Sequence, residues 1–217
     1  MSDIFQIAID GPSGAGKSTI AKIIAKNLGI DYIDTGAMYR AIGLKMMRQG
    51  LVMEENDELM RLLETTDVDF DSGKVYLDGE DVSGIIRTQE ISKAASDCSA
   101  FQSVRKKLVE LQQAMGKRKS VIMDGRDIGT VVLKDAEYKY YLTATAEERA
   151  RRRFKELSEK GASDSYEKVL NDIISRDYND MNRKVTPLKQ AEDAVLIDST
   201  DMSIDEVVDF IVSRIKR

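Results

Sequence analysis

Histidine is absent from this chain of 217 residues. That gap removes imidazole general bases, histidine metal ligands and Ser-His-Asp triads together. The single cysteine, Cys98, excludes an internal disulfide and any multi-cysteine zinc or iron–sulfur centre, and it reads as a small buried residue. Only two prolines occur, and no Pro-rich linker, low-complexity tract or internal repeat is found. No stretch approaches the ~18–20 uncharged apolar residues of a transmembrane helix. There is no C-terminal lipidation box. The first residues, Met1 to Phe5, carry an acid at Asp3 where a signal peptide needs positive charge. A cytoplasmic protein without a membrane partner is expected. An excess of positive charge is also missing: Lys and Arg total 33 against 38 Asp and Glu, a formal charge of -5. A broadly basic nucleic-acid binder is disfavoured, although a local basic patch is not. Chemistry is left to carboxylates, Lys, Arg and backbone groups.

With 42% hydrophobic and 33% charged residues, the balance is that of a globular protein with a sizeable core. Ile4 to Ile9 is a short apolar run ending at Asp10-Gly11, the pattern of a buried parallel strand. From Ser18 to Leu28 the apolar residues recur at helical spacing, and Gly29 is placed to stop that helix. Asp31 to Asp34, Val121 to Met123, Tyr138 to Leu142 and Ala194 to Ile197 predict further strands, each followed by helix-compatible sequence. Ile204 to Ile215 predicts a closing helix. This is the signature of an α/β domain with a parallel sheet. The alternation breaks twice. Val68-Asp69-Phe70, Lys74 to Leu77 and Asp81-Val82 alternate at period two around Asp71-Ser72-Gly73 and Asp78-Gly79, predicting a small antiparallel meander. A core of residues 1–35, 116–145 and 187–217 is thus expected to carry one insertion at 36–115 and a second, helical and too polar to be core, at 146–186.

Gly11-Pro12-Ser13-Gly14-Ala15-Gly16-Lys17-Ser18 fits the phosphate-binding loop G-x4-G-K-[ST], and it lies between an apolar strand and an amphipathic helix. Glycines let successive amides turn inward around phosphate oxygens, and the following helix offers its positive N-terminus to the same anion. Lys17 can reach the β- and γ-phosphates, the Ser18 hydroxyl can ligate Mg²⁺, and Thr19 can help on the α-phosphate. Nucleoside triphosphate binding follows.

Three classes of such proteins compete. A GTPase needs an N-K-x-D guanine-reading motif, and none is present. A motor or helicase calls for greater size, basic grooves or oligomer interfaces. A small-molecule kinase needs an acceptor pocket and a lid that excludes water, and two insertions supply those parts. Its transition state also needs guanidinium charge. Arg40, Arg87, Arg105, Arg126, Arg149, Arg151, Arg152, Arg153, Arg176 and Arg183 lie in or beside the insertions. For Arg149 to Arg153, a solvated face paired with Glu147 and Glu148 competes with an entry of at least one arginine into the site.

The phosphate loop, Asp34-Thr35-Gly36-Ala37-Met38-Tyr39-Arg40, Gly79-Glu80-Asp81-Val82-Ser83 with Ile86-Arg87-Thr88, and Asp124-Gly125-Arg126-Asp127-Ile128-Gly129-Thr130 together resemble the bacterial cytidylate kinase family. The resemblance runs from Ile7 to the last strand. It implies the P-loop nucleoside-monophosphate kinase fold: a parallel sheet core flanked by helices, a small-sheet acceptor-binding insertion and a helical lid. It also implies transfer of the γ-phosphate of ATP to CMP or dCMP with Mg²⁺, on small-molecule partners and without nucleic acid. A monomer is expected. Asp-Gly-Arg-Asp stands where adenylate kinases carry Asp-Gly-Phe-Pro-Arg.

By the same resemblance, Thr35, Tyr39 and Arg40 match the acceptor loop, with Arg40, Arg126 and Arg183 implied on the acceptor phosphate. Ser96, Arg105 and Asp127 match positions implied in cytosine recognition, and Arg176 and Asp180 positions near the sugar. An Asp accepting from the cytosine N4 amino group beside an Arg donating toward N3 or O2 would leave polar groups unpaired against uracil. Asp127 as an N-cap or a partner of Arg126, and Ser96 as plain helix surface, are the competing readings. Asp124 ends a strand where such folds hold Mg²⁺ directly or through water. An ionised acceptor phosphate has little need of a base. A UMP acceptor on the same fold, or an ATP-dependent regulatory protein that turns over without any acceptor, are the rival functions.

Overall fold

Short apolar runs that end in acids build the centre of the molecule, a computed structural model describing residues 4–71, 73–159, 161 and 163–216. Met1 to Asp3 and Ser72, used above for the N-terminus and the meander turn, lie outside the described residues. In chain order the strands are β1 (Gln6–Asp10), β2 (Asp31–Asp34), β3 (Val68–Asp71), β4 (Lys74–Leu77), β5 (Glu80–Asp81), β6 (Val121–Gly125), β7 (Tyr138–Thr143) and β8 (Val195–Asp198). The helices are α1 (Lys17–Leu28), α2 (Thr35–Arg48), α3 (Asp57–Glu64), α4 (Gln89–Cys98), α5 (Gln102–Gly116), α6 (Ala146–Glu159), α7 (Tyr166–Asn182) and α8 (Ile204–Val212).

Five strands form a parallel sheet in the order β2-β6-β1-β7-β8, and β3-β4-β5 form a separate antiparallel sheet. Because successive side chains point to opposite faces, the central strands feed two cores. Ile7, Ile9 and Ile122 join α1 and α8 on one face. Ala8, Val121 and Met123 face the other way and pack with α2, α3, α5 and the small sheet in one continuous cluster. The 36–115 segment is therefore bonded to the sheet through a shared apolar layer. Its α2 and α4 approach closely at Gly43, where an added Cβ would stand 3.0 Å from the Ala95 amide nitrogen and 3.1 Å from the Ala94 Cβ.

Two details differ from the sequence reading. After β6 the chain makes no α-helix but a single π-helical turn, Ile128–Val132. Asp10, distant in sequence, accepts the first two amides of that turn, and the Asp127 carbonyl accepts both Val131 N–H at 2.9 Å and Val132 N–H at 3.3 Å. The 146–186 segment, polar as it is, has a small core of its own, with Ala150, Val169 and Ile173 buried between α6 and α7. Elsewhere the elements lie where their periodicities place them, and Gly29 ends α1 with φ at +63°.

The α2–α4 contact gives a direct test. Gly43→Val should cost about 2 kcal/mol or more by overpacking, read as a lower Tm in thermal unfolding. Gly84→Ala, whose Cβ would meet nothing within 4 Å, should stay within ~0.5 kcal/mol of the parent.

Candidate active site

All five sheet strands end on one edge, and parallel registry brings acids together there. Asp34 and Ile9 both lie opposite Asp124, and Asp10 lies opposite Gly125. Beyond that edge runs the phosphate loop. Gly11 is obligatory at its start: φ is +149°, and a Cβ would stand 1.9 Å from the Leu142 carbonyl oxygen. Lys17 lies buried under the loop, donating to the carbonyls of Gly11 and Pro12, both at 2.7 Å. Burial pushes its ammonium down to about 7, with Arg126 adding to the effect against the pull of Asp124.

Ser18, on the first turn of α1, donates to Asp124 Oδ2 at 2.9 Å, and the Tyr32 hydroxyl donates to Asp124 Oδ1 at 2.7 Å. Thr35 spends its hydroxyl on the Asp124 carbonyl at 2.7 Å. Burial and neighbouring Asp34 push the Asp124 carboxyl up. A hydroxyl and a carboxylate beside the phosphate loop are hard oxygen donors that suit Mg²⁺, and positive charge there would relieve the buried acid. Among the described residues no group of three His, Cys, Asp or Glu could hold a metal by itself. That sparse protein set fits an ion that keeps waters and takes its remaining ligands from phosphates.

Arginines gather next to this edge, and all of them but Arg176 lean on an acid among the described residues. Asp34 caps α2 through the Ala37 amide, and its Oδ2 receives Arg40 at 2.9 Å and Arg87 at 3.2 Å. Arg126 Nε donates to Asp180 Oδ2 at 2.7 Å. Burial works against the Arg126 charge, but Asp180 outweighs it and holds the guanidinium above its usual range. Asp127 is buried and pairs with Arg105 and, at 3.7 Å, with Arg183, which also stands 3.8 Å from Asp180. Among the described residues it has no ion pair with Arg126, and its side chain caps no amide of the turn it precedes. Arg105 lies over the Tyr39 ring, 5.6 Å from its centroid, and burial pushes the Tyr39 phenol well above the ordinary range. Arg176, half-buried on α7, is pushed down by burial and by the Arg126 charge. Thr19 is exposed on α1. Ser96 stands apart: half-buried on α4, it joins none of these side-chain pairs among the described residues.

Of the four arginines on α6, one turns inward. Arg149 is buried, donates to the Ser13 carbonyl at 2.8 Å and pairs with Asp177 at 2.7 Å, while Asp177 accepts the Ser13 amide at 3.3 Å. Arg151 and Arg152 pair with Glu148, and Arg153 pairs with Glu156. The sequence reading gives no part in the site to Asp10, Tyr32, Asp34 or Asp177. Three of these had a usable signal: Asp10 and Asp34 end apolar runs as Asp124 does, and Asp177 follows Arg176 directly on α7. The inward turn of Arg149 had no such signal, since Arg153, one turn further on, shares its side of α6.

Residues 7–217 match the family model described as cytidylate kinase. The chain belongs to the cytidylate kinase family. A cytidylate kinase from Caldicellulosiruptor saccharolyticus is 55% identical over 93% of this chain and 91% of its own length. One from Clostridium acetobutylicum is 54% identical over 97% of both chains. In fold alone, the chain is similar to the solved shikimate kinase from Bacteroides thetaiotaomicron, with a TM-score of 0.51 and 13% identity over 97% of this chain and 98% of that one. An uncharacterized protein from Eubacterium ventriosum gives a TM-score of 0.53 with 14% identity over 97% of each chain. The fold is that of a P-loop kinase, the enzyme is a phosphotransferase, and its family takes ATP as the nucleotide. No helix among the described residues is long and apolar enough to cross a membrane.

Family membership gives the Lys17 titration a consequence. An anion bound against Lys17 would favour the ammonium, and above the pH at which the free group titrates its binding would take up a proton. Below it Lys17 is already charged and the uptake fades. At pH 8 calorimetry in buffers of differing ionisation heat should read a net proton uptake on ATP binding that shrinks toward pH 6. Lys17→Met should abolish that uptake.

Proposed function

We propose that this cytidylate kinase family member transfers the γ-phosphoryl group of ATP to CMP or dCMP, giving ADP and CDP or dCDP, with Mg²⁺ bound beside Ser18 and Asp124. The observation that carries the acceptor assignment is the buried Asp127 carboxylate set between Arg105 and Arg183. Arg105 Nε and Arg183 NH2 are buried there without a hydrogen-bond partner among the described residues. With Arg183 kept for the acceptor phosphate, the spare Arg105 donor beside the Asp127 acceptor complements cytosine, which offers N3 and O2 acceptors next to the N4 donor. Uracil presents a donor at N3 and an acceptor at C4, leaving both sets of buried groups mispaired.

The remaining residues fall into place along the cleft. Gly11, Pro12, Ser13, Gly14, Ala15, Gly16, Lys17, Ser18 and Thr19 would hold the ATP phosphates through amides, ammonium and hydroxyls. Arg40, Arg126 and Arg183 would hold the acceptor phosphate, with Thr35 and Tyr39 in the acceptor loop, Ser96 at the base, and Arg176 and Asp180 near the sugar. A bound Mg²⁺ supplies charge to the phosphoryl oxygens. Lys17, Arg126 and Arg183 supply the rest to a loose transition state, for which alignment and fixed charge outweigh proton transfer. The 146–186 segment serves as the lid, with Arg149 as its arginine nearest the phosphate loop. The chain acts in the cytoplasm as a monomer, on small molecules rather than nucleic acid or membrane. The net charge of -5 supports that reading.

A coupled ADP-release assay over CMP, dCMP, UMP, AMP and GMP tests the proposal. Turnover should be fastest with CMP or dCMP; an equal response to all five, or ADP release without any acceptor, overturns it. Lys17→Ala should lower kcat by about 10²–10³-fold through lost charge at the transferring group. Asp127→Ala should act chiefly on the acceptor, raising KM for CMP and shrinking the CMP-to-UMP ratio of kcat/KM by about 10–100-fold.

A further inference from the structure

Asp10 has a place in the site that no part of the phosphoryl-transfer scheme uses. It is the last residue of β1, directly before Gly11, and only 3% exposed. Oδ1 accepts the Ile128 amide and Oδ2 the Gly129 amide, each at 2.8 Å. These are the first two amides of the π-helical turn, and the residue before them is Asp127. One carboxylate thus bridges the entry of the phosphate loop to the turn that carries the acid in the acceptor pocket.

The turn is held from its other sides as well. A Cβ on Gly125 would stand 2.7 Å from Ile128 Cδ1, so the turn presses directly on the end of β6. A Cβ on Gly129 would stand 3.3 Å from Lys139 Cδ and 3.4 Å from Asp10 Oδ2. Lys139, buried on β7, bonds the Lys134 carbonyl and Asp193. A buried carboxylate whose two oxygens both receive amides has a defined position but little freedom to bind anything else. Burial pushes its carboxyl up to about 6, against the pull of those two amides. The fold bears that cost at one residue and obtains a fixed geometry between two loops.

We infer that Asp10 is a positioning residue for acceptor-base selectivity: through the Ile128 and Gly129 amides it sets where the Asp127 carboxylate stands relative to the phosphate loop. The inference rests on the reading of Asp127 as the cytosine-recognising acid. Asp10 touches neither nucleotide in this scheme. In Asp10→Asn one oxygen becomes an NH₂ group that faces an N–H, a donor against a donor, and the turn must shift to relieve it.

The test compares wild type, D10N and G129A for KM of CMP and of ATP, the CMP-to-UMP ratio of kcat/KM, and Tm. D10N should raise KM for CMP and lower the CMP-to-UMP ratio, each by about tenfold, with KM for ATP changed less than about threefold. G129A crowds the same link from the opposite side and should move the same two quantities in the same direction by a smaller factor. It stands in should D10N fail to fold. An Ile211→Val variant, which trims the α8 core far from the turn, should lower Tm and leave both quantities unchanged. If D10N or G129A lowers Tm while the CMP-to-UMP ratio stays at the wild-type value, Asp10 is structural only and the inference fails. A rise in KM for ATP alone would assign Asp10 to the donor loop and equally overturn it. A wild type without preference for CMP would instead defeat the reading of Asp127, so the two failures are separable.

Discussion

Cations crowded into one cleft repel each other, and this cleft stays assembled because its arginines share carboxylates. Asp34 receives Arg40 and Arg87, Asp127 receives Arg105 and Arg183, Asp180 receives Arg126 and lies near Arg183, and Asp177 receives Arg149. Lys17 has two carbonyls instead. The sharing fixes guanidinium planes before any substrate arrives, and a group already held need not be ordered during the reaction. It also eases the desolvation problem. An arginine that exchanges a carboxylate for a phosphate swaps one anion for another inside the protein, a smaller step than leaving water for a dry site. Lys17 differs, since carbonyl dipoles cannot fully replace an anion. Burial lowers its proton affinity, and an anion beside it would restore the ammonium.

The parallel sheet makes that arrangement possible. Three strands bring Asp10, Asp34 and Asp124 to one edge, Asp34 opposite Asp124 and Asp10 one residue further on, and each acid has taken a different neighbour. Asp34 caps a helix and gathers arginines, Asp124 takes Ser18 and Tyr32, and Asp10 takes two amides. The chemistry of the edge is set by what each acid meets, not by the acid itself. Opposite-facing residues of the same strands, Ile9 against Ala8 and Ile122 against Met123, supply the two apolar layers that keep the edge rigid.

Much of this was readable from the chain. The phosphate loop, the parallel strands, the meander and the family resemblance rest on contiguous patterns, which a sequence displays directly. The partners of the charged residues were not readable, because they lie far apart in sequence: Arg105 meets Asp127, Arg126 meets Asp180, and Asp10 meets Ile128. Asp127 was weighed as a partner of the adjacent Arg126, and the structure gives it Arg105 and Arg183 instead. The π-helical turn was hidden for the same reason, since a side chain from β1 creates it. Arg149 could not be told from Arg151 to Arg153 by charge or by helical position, since Arg153 stands one turn on from it along α6; its partners Ser13 and Asp177 decide it.

That distinction bears on how the α6–α7 segment can move. Its internal seam is apolar, with Ala150, Val169 and Ile173 buried and Phe154 meeting Tyr166 edge-on at 6.1 Å. Its junction with the phosphate loop is polar, made by Arg149 and Asp177 on the two backbone groups of Ser13. Water can replace hydrogen bonds at small net loss, whereas opening the seam would expose hydrocarbon. The two helices should therefore travel together and part from the loop at Ser13. An anion held by the loop would draw Arg149 and repel Asp177, so the pair that latches the segment also senses the charge beneath it. On the reading of this segment as the lid, its motion and the charge of a bound nucleotide would be linked through the backbone of Ser13.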